Sequence, residues 1–165
     1  MKVLFFFYSL AAQNARYPKY LLKFELEIAK FFNTKYALTF SNGTTALNAI
    51  LYSVGVKKKS KVLISKLSFP SVISSILRLG AIPIYLDFDK NLQIKKLDKK
   101  EILNANFLLI THTFGIPQNM LLINKFLEIN PELILIADIS HSQGAKIEIF
   151  FCWYAWCGFI YEYAG

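Results

Sequence analysis

Ser41-Asn42-Gly43-Thr44-Thr45-Ala46-Leu47 follows the apolar run Tyr36-Ala37-Leu38-Thr39-Phe40, and Ala46, Leu47, Ile50, Leu51 and Val54 then recur at helical spacing. The pattern predicts a strand, a tight turn and the N-terminus of a helix. Gly43 lets the backbone turn sharply or lie close to a ligand. Thr44 and Thr45 bring free amides and hydroxyls to the positive end of a helix dipole, a setting that suits a phosphate. The same stretch also reads as an ordinary capped helix, with Thr or Asn as the cap.

Upstream, residues 20–32 have the period of an amphipathic helix, with Leu21, Phe24, Ile28 and Phe31 on one face and Lys23, Glu27 and Lys30 on the other. Asn33 is its expected C-cap. Downstream, Val62-Leu63-Ile64 reads as a buried strand, residues 71–79 as a helix stopped by Gly80, and Ile82-Pro83-Ile84-Tyr85-Leu86 as a strand. Pro83 cannot donate to a ladder, which puts that strand near an edge or places Pro83 at its start. A short helix over 98–104, the apolar run Phe107-Leu108-Leu109-Ile110, a helix over 118–129 and a strand over 133–137 follow. Strands and helices alternating at this pace imply an α/β fold with a mostly parallel sheet and crossover helices. Ligands of such sheets sit at the C-terminal strand ends. The polar clusters fall there: Ser41 to Thr45, Ser68-Phe69, Thr111-His112-Thr113 and Asp138 to His141.

Composition narrows the class. The 165 residues suffice for one domain with a sizeable core. Net charge is +8, carried by scattered lysines with no basic stripe or recognition motif, so a solvated surface is favoured over nucleic-acid binding. The two cysteines, Cys152 and Cys157, form no disulfide framework, and His112 and His141 lack metal-ligand spacing. The body of the chain reads as a reduced, cytoplasmic protein. Residues 1–12 resemble a short signal peptide, but an N-terminal strand or packing segment fits the following body better.

Asp138 ends a strand that has no polar side chain from Leu133 to Ala137, so its carboxylate emerges at the edge of a buried sheet. It reads either as a turn or cap residue or as a buried anion awaiting a cation. A protonated pyridine nitrogen would satisfy it, and the pairing would raise that nitrogen's pKa. His141 could hydrogen-bond a phenolic oxygen on the same ring. Phe69 could cover the ring face or pack in the core. A phosphate cradle, a stacking aromatic and a carboxylate for a pyridinium describe a pocket for pyridoxal 5'-phosphate (PLP).

These stretches resemble the DegT/DnrJ/StrS family of nucleotide-sugar aminotransferases, fold-type I PLP enzymes. The likeness rests on Phe24-Glu25-Leu26-Glu27-Ile28-Ala29-Lys30-Phe31-Phe32, on Lys35 to Leu38 running into Ser41 to Leu47, and on Leu67-Ser68-Phe69. It continues through Leu79-Gly80-Ala81-Ile82-Pro83, Asp87-Phe88-Asp89, His112-Thr113-Phe114-Gly115 and Asp138-Ile139-Ser140-His141-Ser142-Gln143-Gly144-Ala145. The resemblance implies a three-layer sandwich, the incomplete large domain of such an enzyme, over residues 17–146. It implies phosphate contacts from Gly43, Thr44 and Thr45, stacking by Phe69, ring-nitrogen pairing by Asp138 and ring-oxygen contact by His141. It also implies a nucleotide-linked keto sugar as acceptor, glutamate as amino donor and a homodimer for the full-length enzyme, with no membrane span.

The Schiff-base lysine of the family lies beyond the Asp-x-x-His segment, with a serine shortly before it. Lys146 stands too close to Asp138 for that role, so no catalytic lysine is assigned in this chain. Residues 147–165 hold both tryptophans and both cysteines and have no family character. A frameshift is the favoured account of them; a membrane anchor or an added binding segment are the alternatives. On this reading the chain would lack transaminase activity. The rival is a non-catalytic module that binds a phosphorylated ligand or a partner through Thr44-Thr45 and the aromatic tail. A dehydrating relative would carry histidine in place of the lysine.

Overall fold

The structure, a computed structural model, describes residues 19–32, 34–142 and 159–163. In chain order the elements are α1 (Lys19–Phe31), β1 (Thr34–Thr39), α2 (Gly43–Ser53), β2 (Lys61–Ser65), α3 (Pro70–Arg78) and β3 (Ile82–Leu86). There follow α4 (Lys99–Leu103), β4 (Phe107–Thr111), a 3-10 turn at Thr113–Gly115, α5 (Met120–Ile129), β5 (Ile134–Asp138) and β6 (Phe159–Tyr163).

Four strands form a wholly parallel sheet in the order β3-β2-β4-β5. Every residue of β4 is buried, as expected for an apolar run covered on both faces. Alternation along the strands divides the core into two. Val62, Ile64, Phe107, Leu109 and Ile136 pack with Ala46, Leu47, Ile50 and Leu51 of α2 and Val72 and Ile76 of α3. Leu63, Leu108, Ile110, Leu135 and Ala137 point the other way, toward Ala29 of α1, Ile102 of α4 and Met120, Ile123 and Phe126 of α5. The result is the expected three-layer sandwich. Pro83 lies in β3, the edge strand, where a missing N–H costs no ladder bond. Gly80 ends α3 at φ +68, a conformation that costs glycine little.

β1 stands outside this sheet and pairs antiparallel with β6, Leu38 opposite Ile160. Of the tail after Lys146, only β6 falls among the described residues. The expected N-terminal segment and the Asn33 cap lie outside them.

The face of α1 differs from the expected one. Glu25 and Ala29 are buried and Leu21 and Ile28 of the expected face half-buried, whereas Phe24 is 42% and Phe31 70% exposed. The helix is turned because Glu25 Oε1 accepts from the Thr39 amide at 2.7 Å and the Thr39 hydroxyl at 2.8 Å. This buried carboxylate anchors α1 to the end of β1, and the apolar period yields to it. Among the described residues, no helix is long and apolar enough to cross a membrane.

Candidate functional site

The C-terminal end of β1 runs through Phe40 and Ser41 into Asn42, whose extended backbone precedes α2. Asn42 Oδ1 accepts from the Thr45 amide at 2.9 Å and from the Thr45 hydroxyl at 3.0 Å. The Asn42 carbonyl takes the Ala46 amide at 3.1 Å. The donors of Thr45 are therefore engaged by the cap rather than free. Gly43 and Thr44, the first two helical residues, have amides that no carbonyl of the helix can reach. Gly43 is the first residue of the helix, so the sharp turn expected of it is not made there. Replacing Asn42 with Ala is expected to cost about 1 kcal/mol of unfolding free energy, measured by urea denaturation.

The short connection from Val54 to Ser60 puts the C-terminus of α2 at the N-terminal edge of the sheet. Eleven helical residues span about 16 Å, close to the length of a five-residue strand. The N-terminus of α2 is thereby carried to the opposite edge, where β2, β4 and β5 end. Phe69 sits there too, as the cap residue of α3 with Pro70 in the first helical position. It is 72% exposed, so its ring lies open to solvent instead of filling the core.

Asp138 ends β5 directly beside Thr111 of β4. Both residues lie two positions beyond a side chain that faces α2 and α3, so they share that face. Asp138 is buried, and its Oδ1 accepts from the Ser140 amide at 3.0 Å, so it holds the turn while its carboxyl lies out of solvent. Burial pushes its carboxyl pKa up against the lowering pull of that hydrogen bond and of His141. Among the described residues no lysine or arginine forms a salt bridge with it. A buried carboxylate without a cation fits the protonated nitrogen of a pyridine ring.

His141, three residues on, is exposed, and its Nδ1 accepts from the Phe114 amide at 3.3 Å. His112 is buried, with Nδ1 accepting from the Gln118 amide at 3.0 Å. Desolvation lowers its pKa to about 4. Around these strand ends the Ser68, Thr111 and Thr113 hydroxyls and His112 Nε2 are buried without a hydrogen-bond partner. At the edge, Lys66 pairs with Asp87 and holds the Asp87 carboxyl below its usual pKa. Among the described residues, no group of His, Cys, Asp or Glu could hold a metal ion.

Gly43, Thr44, Thr45, Phe69, Asp138 and His141 thus lie at the strand ends that their spacing indicates. Sequence reasoning missed Gln118, which follows Ile116-Pro117 in a loop and carries no periodic signal. It placed His112 in a polar cluster at a strand end and in a family stretch but gave it no role, since a single buried acceptor role leaves no pattern to read.

The geometry has known counterparts. A family model described as the DegT/DnrJ/EryC1/StrS aminotransferase family matches residues 9–148. GDP-perosamine synthase of Escherichia coli O157:H7 is 28% identical over 130 residues, covering 77% of this chain and 35% of that protein. The aminotransferase from Psychrobacter cryohalolentis superposes with a TM-score of 0.66 at 26% identity, over 76% of this chain and 32% of the other. A GDP-4-keto-6-deoxymannose-3-dehydratase structure with a trapped PLP-glutamate geminal diamine gives a TM-score of 0.69 at 25% identity, over 79% and 36%. The chain spans about a third of the length of these relatives. It belongs to the DegT/DnrJ/EryC1/StrS aminotransferase family.

Proposed function

We propose that residues 17–146 are the PLP-holding front of the large domain of a nucleotide-sugar aminotransferase, which passes an amino group to a keto sugar carried on a nucleotide. The observation that carries this reading is Asp138, buried at the end of β5 with no salt-bridge partner among the described residues. When bound, PLP supplies an electron-withdrawing ring and a carrier for the amino group. The chain's own residues do the holding. The Asp138 carboxylate keeps a proton on the ring nitrogen, and the ion pair reverses the burial penalty on its charge. The open amides of Gly43 and Thr44 meet the phosphate at the positive end of α2, and the engaged Thr45 hydroxyl orders the turn beneath them. The exposed Phe69 ring covers one face of the cofactor, and His141 meets the ring oxygen.

Glutamate as amino donor, a GDP-linked or similar sugar as acceptor, a homodimer of the full-length enzyme and a cytoplasmic place of action go with this reading. The relatives' own names support the first two. Lys146 is the one lysine after Asp138 in these 165 residues, and it stands too near to serve as the covalent lysine. The reading therefore concerns cofactor binding by this chain, not turnover.

Titration of the purified 165-residue chain with PLP, followed by absorbance, tests it. Saturable binding that weakens with Phe69→Ala supports the reading, and absence of binding overturns it. Glutamate consumption by the same chain with PLP and a keto-sugar nucleotide is expected to stay at the uncatalysed rate. Measurable turnover would show that another group replaces the lysine.

A further inference from the structure

We propose that the loop after β4 locks the neutral His141 ring in one tautomer, with the proton on Nε2, so that the site offers a hydrogen-bond donor to an acceptor oxygen on the bound ring. The proposal deepens the PLP reading and rests on it for the identity of the ring.

The lock begins with one contact. The Phe114 amide donates to His141 Nδ1 at 3.3 Å. A neutral imidazole carries one protonated and one bare nitrogen, so a ring whose Nδ1 accepts must keep its proton on Nε2. The opposite tautomer would set two N–H groups against each other.

The donor is aimed by an unusual backbone. Phe114 has φ +55 and Gly115 φ +78, two left-handed residues in succession. A side-chain-bearing residue at such a φ is uncommon and is held there by its surroundings. The turn is closed by the Gly115 amide on the His112 carbonyl at 3.3 Å and the Ile116 amide on the Thr113 carbonyl at 3.0 Å. A Cβ at Gly115 would come within 3.1 Å of the His141 carbonyl oxygen, so the turn lies directly against the backbone of the histidine it orients.

The foot of the loop is tied as well. His112 Nδ1 accepts from the Gln118 amide, closing the segment from 112 to 118. The Gln118 side chain is pinned in turn, its Oε1 taking the Ile94 amide at 2.9 Å and its Nε2 giving to the Leu92 carbonyl at 3.0 Å. His112 and Gln118 are both buried, so solvent offers neither a competing partner. In this arrangement His141 is a positioned donor. A ring bearing an ionised oxygen meets an N–H, whereas the other tautomer would present a lone pair to that oxygen.

Long-range proton–nitrogen NMR correlation on the labelled chain without PLP, recorded at alkaline pH, reads the tautomer directly. We expect the proton on Nε2 of His141 and a bare Nδ1. A protonated Nδ1, or averaging between the two forms, overturns the proposal. Gly115→Ala should move the turn away and bring on that averaging. A lock that survives in this variant removes the turn from the account.

A second arm compares PLP with its analogue lacking the ring hydroxyl. The chain should prefer PLP by about tenfold, and His141→Phe should abolish the preference. An unchanged preference in that variant overturns the donor role. A locked ring in a chain that binds no PLP overturns the cofactor reading alone.

Discussion

Asp138→Asn is expected to weaken the chain's hold on PLP by about ten- to a hundredfold, the worth of one charge-assisted hydrogen bond, while making the ligand-free chain more stable at neutral pH. The two effects have one cause. Burial raises the Asp138 carboxyl pKa, so at neutral pH the fold keeps a charge in a place that disfavours it. Between the unfolded and folded pKa the native chain binds more protons than the unfolded one, and stability falls as pH rises through that window. An amide of the same shape carries no charge and can still accept from Ser140. Urea denaturation at neutral pH measures the gain, and PLP titration measures the loss. A variant that is less stable and binds PLP unchanged would place Asp138 in the turn alone.

His112 gives the second large effect, with the opposite sign. Its pKa falls from 6.5 to about 4 on folding because the buried ring cannot be hydrated when charged. Between those values the unfolded chain holds a proton that the folded chain does not, so stability rises with pH across the window. The whole shift corresponds to about 3 kcal/mol, present above pH 6.5 and lost as pH falls toward 4. His112→Asn keeps an acceptor for the Gln118 amide and removes the titration. The difference between parent and variant unfolding free energies should therefore change by about 3 kcal/mol between pH 7 and pH 4. A pH-independent difference would show that His112 titrates alike in both states. Because Asp138 is present in both chains, its contribution cancels in that comparison.

The order of elements was legible because each signal was local and repeated. Phe107 to Ile110 is too apolar for any place but a sheet covered on both faces, and Pro83 could lie only where a ladder bond is dispensable. Of the two readings of Ser41 to Leu47, the capped helix is the one the structure displays, with Asn42 as the cap. The orientation of α1 was not legible. Its apolar period was outweighed by the contact between Glu25 and Thr39, and no residue spacing announces a partner fourteen positions away. The same holds for the lashing of Gln118 to Leu92 and Ile94, which depends on two loops meeting that are far apart in the chain. Asp138 and His141 were singled out from chemistry, through a charge at the end of an apolar strand, and the structure puts them at and just beyond the end of β5. The Phe114 amide that orients His141 belongs to the backbone, and no side-chain type marks it.

The pairing of β1 with β6 bears on the order in which the molecule assembles. β2, β3, β4 and β5 are joined by connections of ordinary length, and their ladders close small loops of chain. β1 has its only ladder, among the described residues, with a strand that lies beyond β2 to β5 in the chain. Closing so large a loop costs more chain entropy and is slower than closing the short ones. The turn that carries Asn42, Gly43 and Thr44 hangs from that strand. Residues 42–44 are thus held from one side by the long-range ladder of β1 and from the other by the packing of α2 on the parallel sheet.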